Sequence, residues 1–171
     1  MDDYLQWGIT IIVGILGVLA GRKWQVLDNR NKEDKETLKS FLEILPPNGS
    51  ISYIRETNFG NYFDVDELSD IFNLINRKSD PELTFIDTGL ERKRLELIDR
   101  IIEFNNELGM KSFPAKQIGV GRLNCIQRPE EIGEEKFKIQ MDYFNNLSND
   151  ICKSYDGMVI EAKHKLNKFI F

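Results

Sequence analysis

The chain has 171 residues, with 23 Lys and Arg against 28 Asp and Glu, one histidine and two cysteines. A hydrophobic content of 41% with 30% charged residues excludes wholesale disorder, and a formal net charge of -5 excludes a dedicated nucleic-acid binder, whose footprint is basic. One domain is expected at this length, large enough to bury a core without staples; the widely separated Cys125 and Cys152 form neither a disulfide framework nor a metal-ligand cluster.

From Tyr4 to Gly21 no charged residue occurs. As a helix this run reaches roughly 27 Å, the thickness of a thin hydrocarbon core. Trp7 and Trp24 stand at its two ends, Asp2 and Asp3 precede it, and Arg22 and Lys23 follow it. A cleaved signal peptide needs the opposite order, with basic residues before the apolar run and small residues at a cleavage site, and a buried core helix is the other competing reading. The charge order favours a single-pass transmembrane anchor over residues 1–24, its N-terminus outside and the bulk, residues 25–171, in the cytoplasm. Trp7, Arg22, Lys23 and Trp24 are the expected interface anchors. Thr10, Gly14, Gly17 and Gly21 recur at spacings of four, three and four, which places them on one helix face. A small-residue face of this kind lets two backbones approach closely in a bilayer. Pairing with a second copy, or with another membrane protein, is expected there.

Residues 25 to 45 read as a helical continuation, with Leu38, Phe41, Leu42 and Leu45 in the spacing of a core-facing stripe, stopped by Pro46-Pro47-Asn48-Gly49. A short helix follows from Ser50 to Thr57. Asp64-Val-Asp-Glu67 reads as a capping box opening a helix to about Arg77, with Leu68, Ile71, Phe72 and Ile75 inward. Asp80-Pro81 begins a short element whose Leu83, Phe85 and Ile86 plug the core. Thr88-Gly-Leu-Glu91 is a second capping box, and the helix after it carries Leu90, Leu97, Ile101, Phe104 and Leu108 inward, widened by Leu95, Ile98 and Ile102, with Gly109 as its stop. Residues 110 to 128 read as an irregular connection. Pro129 and the acidic run to Glu135 open a last helix reaching about Lys168, with Phe137, Met141, Phe144, Ile151, Tyr155, Met158 and Ala162 in a near-heptad stripe and Gly157 as a soft point. No alternating strand pattern of useful length is seen. The fold class expected is all-α, an antiparallel helical bundle below one membrane helix.

Catalytic and metal chemistry find little footing. His164 sits between Lys163 and Lys165 at a solvated position, and no glycine-flanked nucleophile elbow accompanies any serine. Cys152 lies beside the apolar stripe, as a core cysteine does. The acidic patch Asp64, Asp66, Glu67 and Asp70 fails the calcium-loop spacing, because Leu68 and Ser69 occupy positions that need an oxygen ligand and a glycine. Glu91-x-Lys93, following Asp80 and Asp87, lacks the strands that a metal-dependent nuclease site requires. Gly119-Val-Gly121-Arg122 lacks the strand and helix of a phosphate loop. No cofactor, metal or catalytic residue is expected. The most unusual segment is Ile54 to Phe63, in which Arg55, Phe59, Tyr62 and Phe63 surround Gly60. Its aromatics either plug the bundle or form a partner-docking loop, since aromatics and arginine are the usual anchors of interfaces.

Phe41…Leu45-Pro46, Arg55…Asn58-Phe59-Gly60, Phe85…Leu90-Glu91 and Tyr155-Asp156…Lys163…Leu166, over most of residues 38 to 168, resemble a group of small uncharacterised bacterial proteins with a helical domain. The resemblance implies an all-α fold and a bacterial setting and transfers no activity. The function expected is a non-enzymatic, membrane-anchored interaction module that associates through its glycine-faced helix and binds a cytoplasmic partner through its bundle. The alternative is a membrane-perturbing effector of a bacterial defence or toxin system that oligomerises on a trigger.

Overall fold

The structure, a computed structural model, describes residues 25–114 and 123–167. The uncharged run, with Trp7, Thr10, Gly14, Gly17, Gly21, Arg22, Lys23 and Trp24, lies outside the described residues, as does Gly119-Val-Gly121-Arg122. Among the described residues no helix is long and apolar enough to cross a membrane.

Helix α1 occupies residues 25–44 and ends where Pro46 and Pro47 forbid further helical hydrogen bonds. Helix α2, Ser50–Glu56, follows at once. Gly49 at its N-terminus allows a close approach: a Cβ there would lie 2.1 Å from Asp70 Oδ2, and that carboxylate accepts from Ser50 N at 3.0 Å. Ser50 Oγ donates to the Glu67 carbonyl at 2.7 Å and accepts from Asp70 N at 3.1 Å, so one buried hydroxyl fastens α2 to the segment before α3, Ser69–Asn76.

Helices α4, Thr88–Lys111, and α6, Glu134–Asn167, form the frame. They run antiparallel, as four contacts along their length show. Lys93 Nζ meets Glu161 Oε2 at 2.8 Å and Arg100 Nη1 meets Asp150 Oδ2 at 3.7 Å. Farther along, the Tyr143 hydroxyl donates to Glu103 at 3.2 Å and Gln140 Nε2 to the Lys111 carbonyl at 3.5 Å. Helix α1 lies antiparallel to α6 at the other side. Its Leu38 shares an apolar cluster with Ala162 and Leu166, and the Leu45 carbonyl accepts from the Tyr155 hydroxyl at 3.0 Å. Burial pushes the Tyr155 phenol up to about 12, which keeps it a donor at any ordinary pH.

Phe59 is the central plug. Its ring lies 5.1 Å from Phe63, 5.3 Å from Phe104 and 6.1 Å from Phe144, the first two edge to face, and its backbone N–H donates to Asn145 Oδ1 at 3.0 Å. Aromatic pairs at these separations contribute about 0.5–1.5 kcal/mol each beyond the area they bury.

Several expectations are corrected. The fold is mostly helical but not all-α, for a three-stranded antiparallel sheet joins β1, Phe63–Asp64, β3, Leu123–Ile126, and β2, Ser112–Pro114, in that order. Strands of two to four residues cannot show a readable alternation; they pair because Phe63 and Ile126 are drawn into the core. The expected helix at Asp64 starts later, since Asp64 Oδ1 accepts from Asp66 N at 2.9 Å and opens a 3-10 turn, Asp66–Leu68, before α3. At α4 the cap is Asp87, whose Oδ1 accepts from Leu90 N at 2.9 Å; a carboxylate outbids the neighbouring Thr88 hydroxyl because it also meets the positive end of the helix dipole. Helix α4 passes through Gly109 to Lys111. The last helix is divided by Gly133, whose φ of 85° closes α5, Pro129–Ile132, before α6 begins. Gly157 leaves α6 unbroken, and Ile86 and Leu95 are exposed rather than inward.

Phe59→Ala is expected to lower unfolding stability by about 3–5 kcal/mol, measured by urea denaturation, while Ile160→Ala on the exposed face of α6 stays within about 0.5 kcal/mol. Similar losses for the two variants would remove Phe59 from the centre of the core.

Candidate functional site

The segment from Ile54 to Phe63 divides into two kinds of residue. Phe59 and Phe63 are fully buried and are core plugs, so they offer no side chain to a partner. Tyr62 is 45% exposed and lies on Arg128, whose guanidinium carbon is 5.3 Å from its ring centroid and 5.5 Å from that of Phe137. Arg128 Nη1 also donates to the Gly60 carbonyl at 3.0 Å. The arginine is thus stacked between two rings and bonded to the turn carrying one of them, a cation–π arrangement that fixes the loop against α6. Arg55 is half exposed and donates to Asp156 Oδ1 at 2.9 Å. The sequence brought these four residues together as one motif; the structure separates them into two anchors and two surface groups.

A second surface was not legible as a motif. Lys111, Gln127, Ile132, Lys136, Ile139, Gln140 and Tyr143 line a groove of about 560 Å³ where the end of α4 meets the beginning of α6. Ile139 is 63% exposed, and Met110 and Phe113 are also exposed near this end of α4 and on β2. Lys111 pairs with Glu107 and stands over the Tyr143 ring at 5.0 Å from its centroid. Its lining mixes the apolar Ile132, Ile139 and Tyr143 with the polar Lys111, Gln127, Lys136 and Gln140. The signal available in sequence was Ile139, which falls between the core-facing positions Phe137 and Met141 rather than on their stripe.

At the opposite end of the bundle lies a charged cluster. Asp34 of α1 is only 3% exposed and accepts from Ile86 N at 2.6 Å and Asp87 N at 3.1 Å, so both carboxylate oxygens are used by backbone donors just before α4. Asp87 Oδ1 accepts from Lys165 Nζ at 2.9 Å, and Glu161 takes Lys165 at 3.2 Å together with Lys93. Burial pushes the Asp87 carboxyl up, but Lys165 and the Leu90 and Gly89 amides outweigh it and hold it below the usual range; Lys93 and Lys165 do the same for Glu161. Beside them buried Arg94 forks onto Glu91 at 2.9 and 2.6 Å and caps the Lys78 carbonyl at 3.1 Å, while Glu91 also accepts from Phe85 N at 3.0 Å. Each of these groups is taken up in holding the chain together.

The remaining chemical candidates are structural too. Cys152 is buried with its thiol toward the Ile51 carbonyl at 3.8 Å, and burial raises both cysteine thiols, the reverse of an activated nucleophile. His164 is exposed. Asp80 caps the turn at Pro81–Leu83 and bonds Arg77 at 2.9 and 2.6 Å. Among the described residues no group of three His, Cys, Asp or Glu is placed to hold a metal ion. Comparison of the chain with protein-family models, with curated proteins and with solved structures gives no match.

The charged cluster predicts an acid-sensitive fold. Asp87 and Glu161 titrate below their ordinary values of 3.8 and 4.5 when folded, so their contribution is present above those values and lost as the pH falls through the depressed ones. Lys165→Met removes the shared cation, so the unfolding midpoint is expected to fall at neutral pH and to converge on that of the unaltered protein as the pH drops below the depressed values, which makes the acid limb shallower. Limbs of equal height in both proteins would mean that Lys165 contributes nothing.

Proposed function

We propose that this protein is a membrane-anchored interaction module, non-enzymatic, in which the segment up to residue 24 holds the bundle at the cytoplasmic face of a bacterial inner membrane. Copies associate through Thr10, Gly14, Gly17 and Gly21, and the bundle presents the groove around Ile139 and Tyr143 to a protein partner. Trp7, Arg22, Lys23 and Trp24 set the depth of the anchor, as aromatic and basic residues do at bilayer boundaries.

The observation that carries this reading is the form of α1. Its residues 25–30 are all exposed, and burial starts in earnest at Asp34. A solvated stem of two turns, separated in sequence from an uncharged run of 18 residues only by Arg22, Lys23 and Trp24, is what a tether between bilayer and bundle requires. The charged groups of the cluster at the base of the stem are committed to structural pairs, which supports binding rather than catalysis.

The reading makes two measurable claims. The full chain is expected in the membrane fraction after alkaline carbonate washing, and recovery of it in the wash would sink the anchor. Gly17→Leu/Gly21→Leu is expected to leave insertion intact and reduce in-membrane crosslinking severalfold, because two backbones can then no longer approach closely; undiminished crosslinking would move association elsewhere. Growth arrest with dye entry on expression would instead favour an effector that breaches the bilayer.

A further inference from the structure

One wall of the groove is held more lightly than the others. Residues 127–132 run from the end of β3 through α5 to Gly133, and Gln127 and Ile132 of this segment line the groove together with side chains of α4 and α6. Both ends of the segment are fixed. Ile126 is buried in the core just before it, and just after it Phe137 N donates to the Gly133 carbonyl at 3.0 Å. Between these ends α5 buries no side chain. A helix of four residues does not sustain itself in water, so the segment stays where its attachments hold it.

Those attachments centre on Arg128. Among the described residues it is the one side chain of the segment that hydrogen-bonds outside it, through Nη1 to the Gly60 carbonyl; Glu131 bonds back to Arg128 N at 3.4 Å. The receiving turn is rigid. Asn58 Oδ1 holds Gly60 N at 2.9 Å, Phe59 is buried, and a Cβ on Gly60 would lie 2.5 Å from Met141 Sδ of α6. At the other end Gly133 has φ 85° and ψ 152°, a region that glycine alone occupies readily. A Cβ on Gly133 would meet nothing within 4 Å, so the chain reverses there without being packed in place. The segment also separates two apolar areas. Ile132 and Ile139 lie in the groove on one side, and the rings of Tyr62 and Phe137, stacked on Arg128, lie on the other.

We propose that residues 127–132 form a strap that lifts as a unit, with Arg128 as its latch and Gly133 as its joint, and that lifting joins the groove to the rings of Tyr62 and Phe137. That the strap admits a protein partner rests on the function proposed above. The motion is a property of the chain alone and is measured without a partner, so the two can fail separately.

The test is hydrogen–deuterium exchange on the full chain in detergent. The amides of Glu131, Ile132 and Gly133, bonded within α5, are expected to be protected but to exchange at least tenfold faster than residues 144–159 of α6, at rates that low urea leaves unchanged. Arg128→Met removes the cation and the donor and is expected to speed exchange at these three amides roughly tenfold with α6 unchanged. Gly133→Ala, whose added methyl meets nothing but whose backbone resists this φ, is expected to do the same. Protection at the three amides equal to that of α6, no protection there, or unchanged exchange in either variant overturns the strap. A loss of protection that spreads into α6 overturns it too, because the segment would then be part of the core rather than a moving wall.

Discussion

The antiparallel pairing of α4 with α6 has to be sealed along one side, and the phenylalanine cluster seals it. Phe104 of α4 and Phe144 of α6 face one another with their centroids 6.3 Å apart, and Phe59, from the connection after α2, covers both. Because Phe59 arrives from a loop, its position fixes that loop. The Asn145 side chain takes its N–H, Asn58 bonds back to Asn145 and to Gly60 N, and Tyr53 Oη accepts from Asp64 N at the beginning of β1. The sheet hangs from the same point, since Phe63, edge to face with Phe59, pairs across to Asn124 of β3.

Around this centre the two ends of the bundle have opposite chemistry. Helix α6 begins with Glu134 and Glu135 and ends with Lys165, each matched to its end of the helix dipole, and its 34 residues hold those ends about 50 Å apart. The end near α1 is closed by ion pairs and backbone-bonded carboxylates that leave little to offer a ligand. The far end, beside the sheet, carries the groove, with Met110, Phe113 and Ile139 exposed around it. In the function we propose, tether and contact surface are separated by the length of one helix.

The long elements were legible because burial repeats along them. The stripes on α4 and α6, the proline stop after α1 and the short α2 follow from spacing and turn chemistry alone. What escaped was decided by partners distant in sequence. The strands are too short to carry a period, and Ser112 to Pro114 pair with Ile126 to Asn124 across the connection that read as irregular. The sequence pattern put the cap of α4 at Thr88, whereas the cap is Asp87, the residue that Lys165, 78 positions away, also binds. Phe59 and Tyr62 looked alike as members of one aromatic segment. Only the neighbouring rings of Phe104 and Phe144 distinguish the buried one from the exposed one. Asp34 gave no signal at all, because its partners are two backbone amides.

That carboxylate also determines how the fold bears load. Helix α1 lies lengthwise against the start of α4 and the end of α6, so tension applied along its axis from the N-terminal side stretches the two Asp34 hydrogen bonds and slides the Leu38 cluster all at once. Contacts loaded together in shear yield at higher force than contacts peeled one at a time. The opposite end, whose strands pair two or three residues at a time, opens sequentially under the same pull. Mechanically, the molecule has a strong end and a compliant one, and the strong end is where the stem attaches.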